Sequence, residues 1–260
     1  MSMKSQSTPL KPYRLGALLA AALATGSALG QEHSYEGKPV SMGKGSAHVL
    51  VRTDASDKLT AIGIVLTPGA LNDLPNPARG ARSDTAFYLP MPGKGPKTAI
   101  DHVMINWEPV GHPPPHVYDV PHFDFHFYLV SRAAQEKVRF HNDAESGQPQ
   151  QQAPAELLPQ GYAIPPGTAV PRMGVHAINM SSGELHGQPF TATFIYGYYN
   201  RQQTFLEPMV SLDYLLSKPS FSTAITRPSR YSKPGVYPGA YSVKYAASND
   251  VYEVLLEDFN

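Results

Sequence analysis

The run Val120-Pro121-His122-Phe123-Asp124-Phe125-His126-Phe127-Tyr128-Leu129-Val130-Ser131 decides how this chain is read. Successive side chains of a β-strand point to opposite faces. On that rule Phe123, Phe125, Phe127 and Leu129 form one wholly apolar face, which must meet a core. His122, Asp124, His126 and Tyr128 form the other face, which is polar or amphipathic throughout. The run therefore predicts a strand over residues 120–131 with a potential ligand-bearing side.

Outward from this strand, the remaining segments also favour β-structure. Residues 46–53 and 59–67 are apolar, β-branched runs on either side of Asp54-Ala55-Ser56-Asp57, the pattern of a hairpin. Residues 87–89 and 99–107 read as further strands, and 132–138 as one or two helical turns. Residues 142–168, with Gln148-Pro149-Gln150-Gln151-Gln152, read as a polar surface loop. Residues 190–199 and 204–206 predict a hairpin across Asn200-Arg201-Gln202. Pro208 suits the first position of a helix running to about Ser217. That would set Glu207 at a helix N-terminus, where a carboxylate is favoured for electrostatic reasons alone. Residues 241–246 and 251–256 predict a closing hairpin, and His33 falls in a stretch expected to be disordered. The 26 Pro and 21 Gly residues suit many short strands joined by turns. The expected fold is mainly β: a single-domain antiparallel β-barrel or β-sandwich with one or two short helices, over residues 31–260.

Residues 1–30 read as a secretory signal peptide. Lys4, Lys11 and Arg14 precede an Ala- and Leu-rich apolar run, and Ala28 and Gly30 are the small residues ahead of a cut before Gln31. The apolar run is shorter than the roughly 20 residues of a membrane helix. No later segment is apolar enough for a stable membrane span. A periplasmic or secreted location is expected. Lys plus Arg equals Asp plus Glu at 21 each, which argues against a nucleic-acid partner. With no Cys, there is no thiolate nucleophile and no Cys-type zinc cage, and stability must come from packing, a metal or homo-oligomer formation.

The polar face of the decisive strand points to a divalent transition metal. Same-face neighbours lie roughly 6.6 Å apart, so His122 with Asp124, or Asp124 with His126, reach one ion. His122 and His126, roughly 13 Å apart, do not share one unless the strand bends. Further ligands must come from elsewhere, and His112, His176 and Glu207 are the candidates, with His116 and Glu184 behind them. A sulfur-free His-plus-carboxylate set suits zinc first, with iron, manganese and copper also compatible. Any of the three strand residues that does not ligate is placed to orient one that does, Asp124 above all. Tyr128 is the proton-transfer candidate if the protein is an enzyme. Trp107, Tyr118, Tyr196 and Tyr198 read as core or pocket wall. The competing reading is a polar network in which His and Asp merely pair across strands.

The runs Gly111-His112-Pro113-Pro114, residues 118–128, Met173-Gly174-Val175-His176 and Phe205-Leu206-Glu207-Pro208-Met209 resemble an uncharacterised family of secreted bacterial proteins with members in Thermus. The resemblance extends over residues 45–259 and implies export and a shared site, with no settled activity. There is a looser similarity to cupins, whose His-x-His is replaced here by His-x-Asp-x-His. Two functions follow. One is an exported metal-binding protein, and potentially a metalloenzyme, acting on a small molecule. The other is a non-catalytic periplasmic ligand-binding or stress-related oligomeric scaffold with a structural polar cluster. No G-x-S-x-G elbow, phosphate loop, dinucleotide fingerprint, EF-hand or H-E-x-x-H motif occurs.

Overall fold

A computed structural model of the chain describes residues 1, 32–76 and 85–260. The expected signal segment, residues 1–30, lies outside the described residues but for Met1. In chain order the strands are β1 (His33–Glu36), β2 (Val40–Met42), β3 (Gly45–Thr53), β4 (Leu59–Leu66), β5 (Ala86–Leu89), β6 (His102–Glu108) and β7 (His122–Tyr128). They continue with β8 (Tyr162–Ala163), β9 (Val175–Asn179), β10 (Ala192–Tyr199), β11 (Gln202–Ser211), β12 (Ser220–Ala224), β13 (Pro238–Ala246) and β14 (Val251–Phe259). Two short helices, α1 (Arg132–Gln135) and α2 (Leu212–Leu216), complete the regular elements apart from a few 3-10 turns. No helix among the described residues is long and apolar enough to cross a membrane.

The strands form two antiparallel sheets. One runs β1-β3-β4-β14-β13-β12, with β2 also on β3, and the other runs β5-β6-β7-β11-β10-β9-β8. Each keeps two edges, so they stack as a sandwich and do not close into a barrel. Val49, Val51, Ile62, Ile64, Val254 and Leu256 of the first sheet meet Val103, Ile105, Phe123, Phe125, Phe127 and Leu206 of the second in one core. Each Phe so buried is worth about 1.5–3 kcal/mol. This fixes the register of β7, because a one-residue slip would drive His122, Asp124 and His126 into that core.

The far face of the second sheet is also covered. Every residue of β7 is buried. Tyr118, Ile178, Phe190, Ile195 and Met209 make one satellite cluster there, and Met104, Tyr128, Met173 and Phe205 another. The segments between β6 and β7 and between α1 and β9 thus form a third layer above the polar face. The polar excursion around residues 142–168 belongs to it: the Ser146 hydroxyl accepts from the Gly167 backbone N–H at 2.9 Å and ties its two ends together.

Two expectations are corrected. Pro208 does not open a helix; β11 continues through it to Ser211, and α2 starts at Leu212, where the Ser211 side chain accepts from the Tyr214 N–H at 3.3 Å. The hydroxyl cap outcompetes the proline as a start signal. Proline survives in this central strand because the β11–β7 ladder joins Phe205 and Leu206 to Tyr128 and Phe127, then resumes only at Met209 and Asp124. Glu207 is therefore a mid-strand carboxylate, 1 % exposed, and not a helix-end charge. His33 is not disordered either: it begins β1 and pairs with Thr53, since the edge of β3 offers an open ladder.

Candidate metal centre

Six side chains from four places in the fold meet beneath the third layer. β7 supplies His122, Asp124 and His126; β11 supplies Glu207, β9 supplies His176, and the segment between β6 and β7 supplies His112. The register that joins Leu206 to Phe127 and Met209 to Asp124 sets Glu207 across from His126. His176 is two strands beyond β11, on β9, across from Gly197 on the intervening β10. A Cβ at Gly197 would collide with the Phe205 ring, so glycine is what lets that ring lie over β10. The ring then packs against both His126 and His176, with centroids 4.7 and 5.2 Å away. His112 is brought in by Gly111, whose φ of +65° and close approach to the Tyr118 carbonyl exclude a side chain.

The six residues resolve into two groups, His112/His122/Asp124 and His126/His176/Glu207, each with three donor atoms within 4.8 Å of one another. The groups repeat one pattern, a carboxylate set between two imidazoles. Asp124 directs Oδ1 to His122 Nε2 at 3.2 Å and Oδ2 to His112 Nε2 at 3.8 Å. Glu207 directs Oε1 to His126 Nε2 at 3.4 Å and Oε2 to His176 Nε2 at 4.0 Å. Ligands about 2.0 Å from a tetrahedral ion lie roughly 3.3 Å apart, so all four separations suit an ion after small inward movements.

The outer nitrogens of three of these histidines are fixed by backbone. Nδ1 donates to the Val120 carbonyl at 2.7 Å in His122, to the Pro113 carbonyl at 2.8 Å in His112 and to the Thr168 carbonyl at 2.9 Å in His176. A carbonyl only accepts, so the proton sits on Nδ1 and the Nε2 lone pair of the neutral ring faces the carboxylate. Two acceptors then face each other, an arrangement that needs a cation between them. His122 Nε2 and Asp124 Oδ1 make the point: both are buried, and despite their proximity neither is aligned in a hydrogen bond. Without a metal the cation is a proton. Burial works to lower the His122 pKa, but the charge and proximity of Asp124, with the Val120 carbonyl and the Glu108 charge behind them, together outweigh it and hold the ring above its ordinary value. Burial works to raise the Asp124 carboxyl, yet His122 first, with His112 and His126 behind it, pulls it well below the carboxylate range.

A cavity of about 320 Å³ opens directly onto both groups. Asp124 and His112 of the first, and Glu207 and His176 of the second, line it. His122 and His126 stand behind them, each 0 % exposed. The walls are mostly apolar, from Ile178, Ile195, Met173 and Met209, with prolines 113, 114, 165 and 166 from the third layer.

Other expected residues fall elsewhere. Tyr128 is on the correct face but outside the cavity lining, stacked on His126 and donating its hydroxyl to the Arg172 carbonyl at 3.1 Å. His116 is exposed and joins neither group. Glu184 accepts from the Tyr118 hydroxyl at 3.2 Å, and Tyr118 does line the cavity. Trp107, Tyr196 and Tyr198 are core residues. The carbonyls of Val120, Pro113 and Thr168 were beyond sequence reasoning, because every residue type carries one.

Over residues 54–107 the chain is similar to the family model described as TTHB210-like, Hypothetical protein TTHB210. That stretch holds β4, β5 and most of β6 and ends ahead of all six site residues. No curated protein and no solved structure matches the chain.

Proposed function

We propose that this chain is a metalloprotein that holds a divalent transition metal in each of its two His/carboxylate groups and presents both ions to the cavity above them. The observation that carries this reading is the backbone-fixed tautomer of His112, His122 and His176, which turns Nε2 lone pairs toward carboxylate oxygens. Outer nitrogens held by carbonyls are the usual support of metal-binding imidazoles. Each group is a two-histidine, one-carboxylate set, which suits zinc, and also iron and other divalent ions. Three protein ligands leave a coordination position for water or substrate, the arrangement of catalytic rather than closed structural sites. An enzyme is therefore favoured over a scaffold, the ions supplying Lewis acidity or an activated water. The signal-like composition of residues 1–30 supports a location outside the cytoplasm for this activity.

Elemental analysis of the protein, purified from the periplasm without a histidine tag or chelators, tests the reading. Two equivalents of transition metal are expected. No metal after incubation with zinc, iron, manganese and copper would sink it and leave a proton-held polar network.

A further inference from the structure

We infer, on the basis of the metal reading above, that the cavity is a metal-gated site for a small molecule carrying an anionic oxygen-donor head, such as a carboxylate or hydroxamate, on an apolar body. The charge of the lining carries the first half. Asp124, Glu207 and the exposed Asp143 line the cavity, and among the described residues neither Lys nor Arg does. Tyr118 adds no charge, because burial and then the neighbouring Glu184 carboxylate keep its hydroxyl protonated. Even with a proton held in each group, the three carboxylates leave the metal-free cavity net negative, which repels an anion. Two divalent ions outweigh those carboxylates by one charge, so only the loaded protein attracts an anion, and the floor where the ions sit is where its oxygen must go.

The walls carry the second half. Above the charged floor stand Ile178, Ile195, Met173 and Met209, which offer an apolar body contact and no hydrogen-bonding side chain. The volume of about 320 Å³ sits at the lower end of small-molecule pockets, roughly 300–1,000 Å³. A single ring with its head group suits that space; a chain polymer does not.

The test is calorimetric titration of the zinc-loaded protein with benzohydroxamate, acetohydroxamate and benzylamine, with metal content measured on the same sample. Benzohydroxamate is expected to bind about tenfold or more tighter than acetohydroxamate, the contribution of a buried ring. Benzylamine is expected not to bind, and the metal-free protein to bind none of the three. Ile195→Trp, which fills the wall, is expected to keep both ions and lose at least that tenfold. Should it fail to fold, Pro166→Trp, at an exposed wall position, replaces it. Equal affinity for the two hydroxamates, or preference for the amine, with both metals in place would overturn this inference and leave the metal reading intact. Absence of metal would overturn both.

Discussion

The two ring nitrogens of His122 have opposite duties. Nδ1 is spent on the Val120 carbonyl, and Nε2 faces Asp124 with nothing but a cation to reconcile them. Asp124→Asn separates the two cations that serve. An amide in the carboxylate's place keeps the shape and offers an N–H to the neutral Nε2, so the proton is no longer needed. A metal, however, loses its anionic ligand. The expected outcome is a fall from two bound equivalents to one, while chemical denaturation of the metal-free protein changes by no more than about 1 kcal/mol, the worth of a neutral hydrogen bond. His33→Ala, in β1 of the other sheet, should change neither quantity. Retention of both metals in Asp124→Asn would remove the first group from the site.

Among the elements, β7 was the most readable in sequence because its two faces obey one period: aromatic rings into the sandwich, polar groups away from it. That alternation also exposed the candidate ligands, and the 13 Å between His122 and His126 already argued against their sharing one ion. Their division between two groups depends on partners that strand pairing brings close from β9 and β11, and the Gly111 turn from the β6–β7 segment. No local pattern reports that pairing. Pro208 misled for the same reason, since its fitness for a central strand rests on a gap in the ladder to β7. The loop over residues 142–168 looked polar enough for solvent, yet its prolines 165 and 166 roof the cavity. β10 offers a test at this scale through Gly197. Gly197→Ala pushes its methyl into the Phe205 ring that steadies His126 and His176. A stability loss of about 1–3 kcal/mol is expected from the overpacking. Metal should be lost from the second group alone, which elemental analysis of the folded variant reads directly.

In the whole molecule, the absence of disulfides leaves the apolar core to hold the sandwich, and that core carries tyrosines whose ionisation it forbids. Tyr162 donates its hydroxyl to the Phe194 carbonyl at 3.1 Å, Tyr196 to Thr226 at 3.0 Å and Tyr198 to Leu157 at 2.6 Å. A tyrosinate in any of these places would set a negative oxygen against a carbonyl. Burial, the largest cause, raises all three and Tyr241 far above the ordinary value, and pushes Tyr237 up to about 12. The sign follows from the raised folded value: stability is intact below the unfolded pKa of about 10 and is lost as pH climbs from there toward the folded values. Each residue that stays neutral while its unfolded counterpart ionises costs about 1.4 kcal/mol per pH unit. Four together remove about 5 kcal/mol per unit, against a typical total of about 5–15 kcal/mol. Unfolding is therefore expected within about one to three pH units above 10. Tyrosinate absorbance and circular dichroism, followed together on raising the pH, should show the buried tyrosines ionising in one cooperative step as the β-signal collapses. Gradual ionisation near pH 10 with the β-signal intact would mean that water reaches these rings and that the sheets do not pack as described.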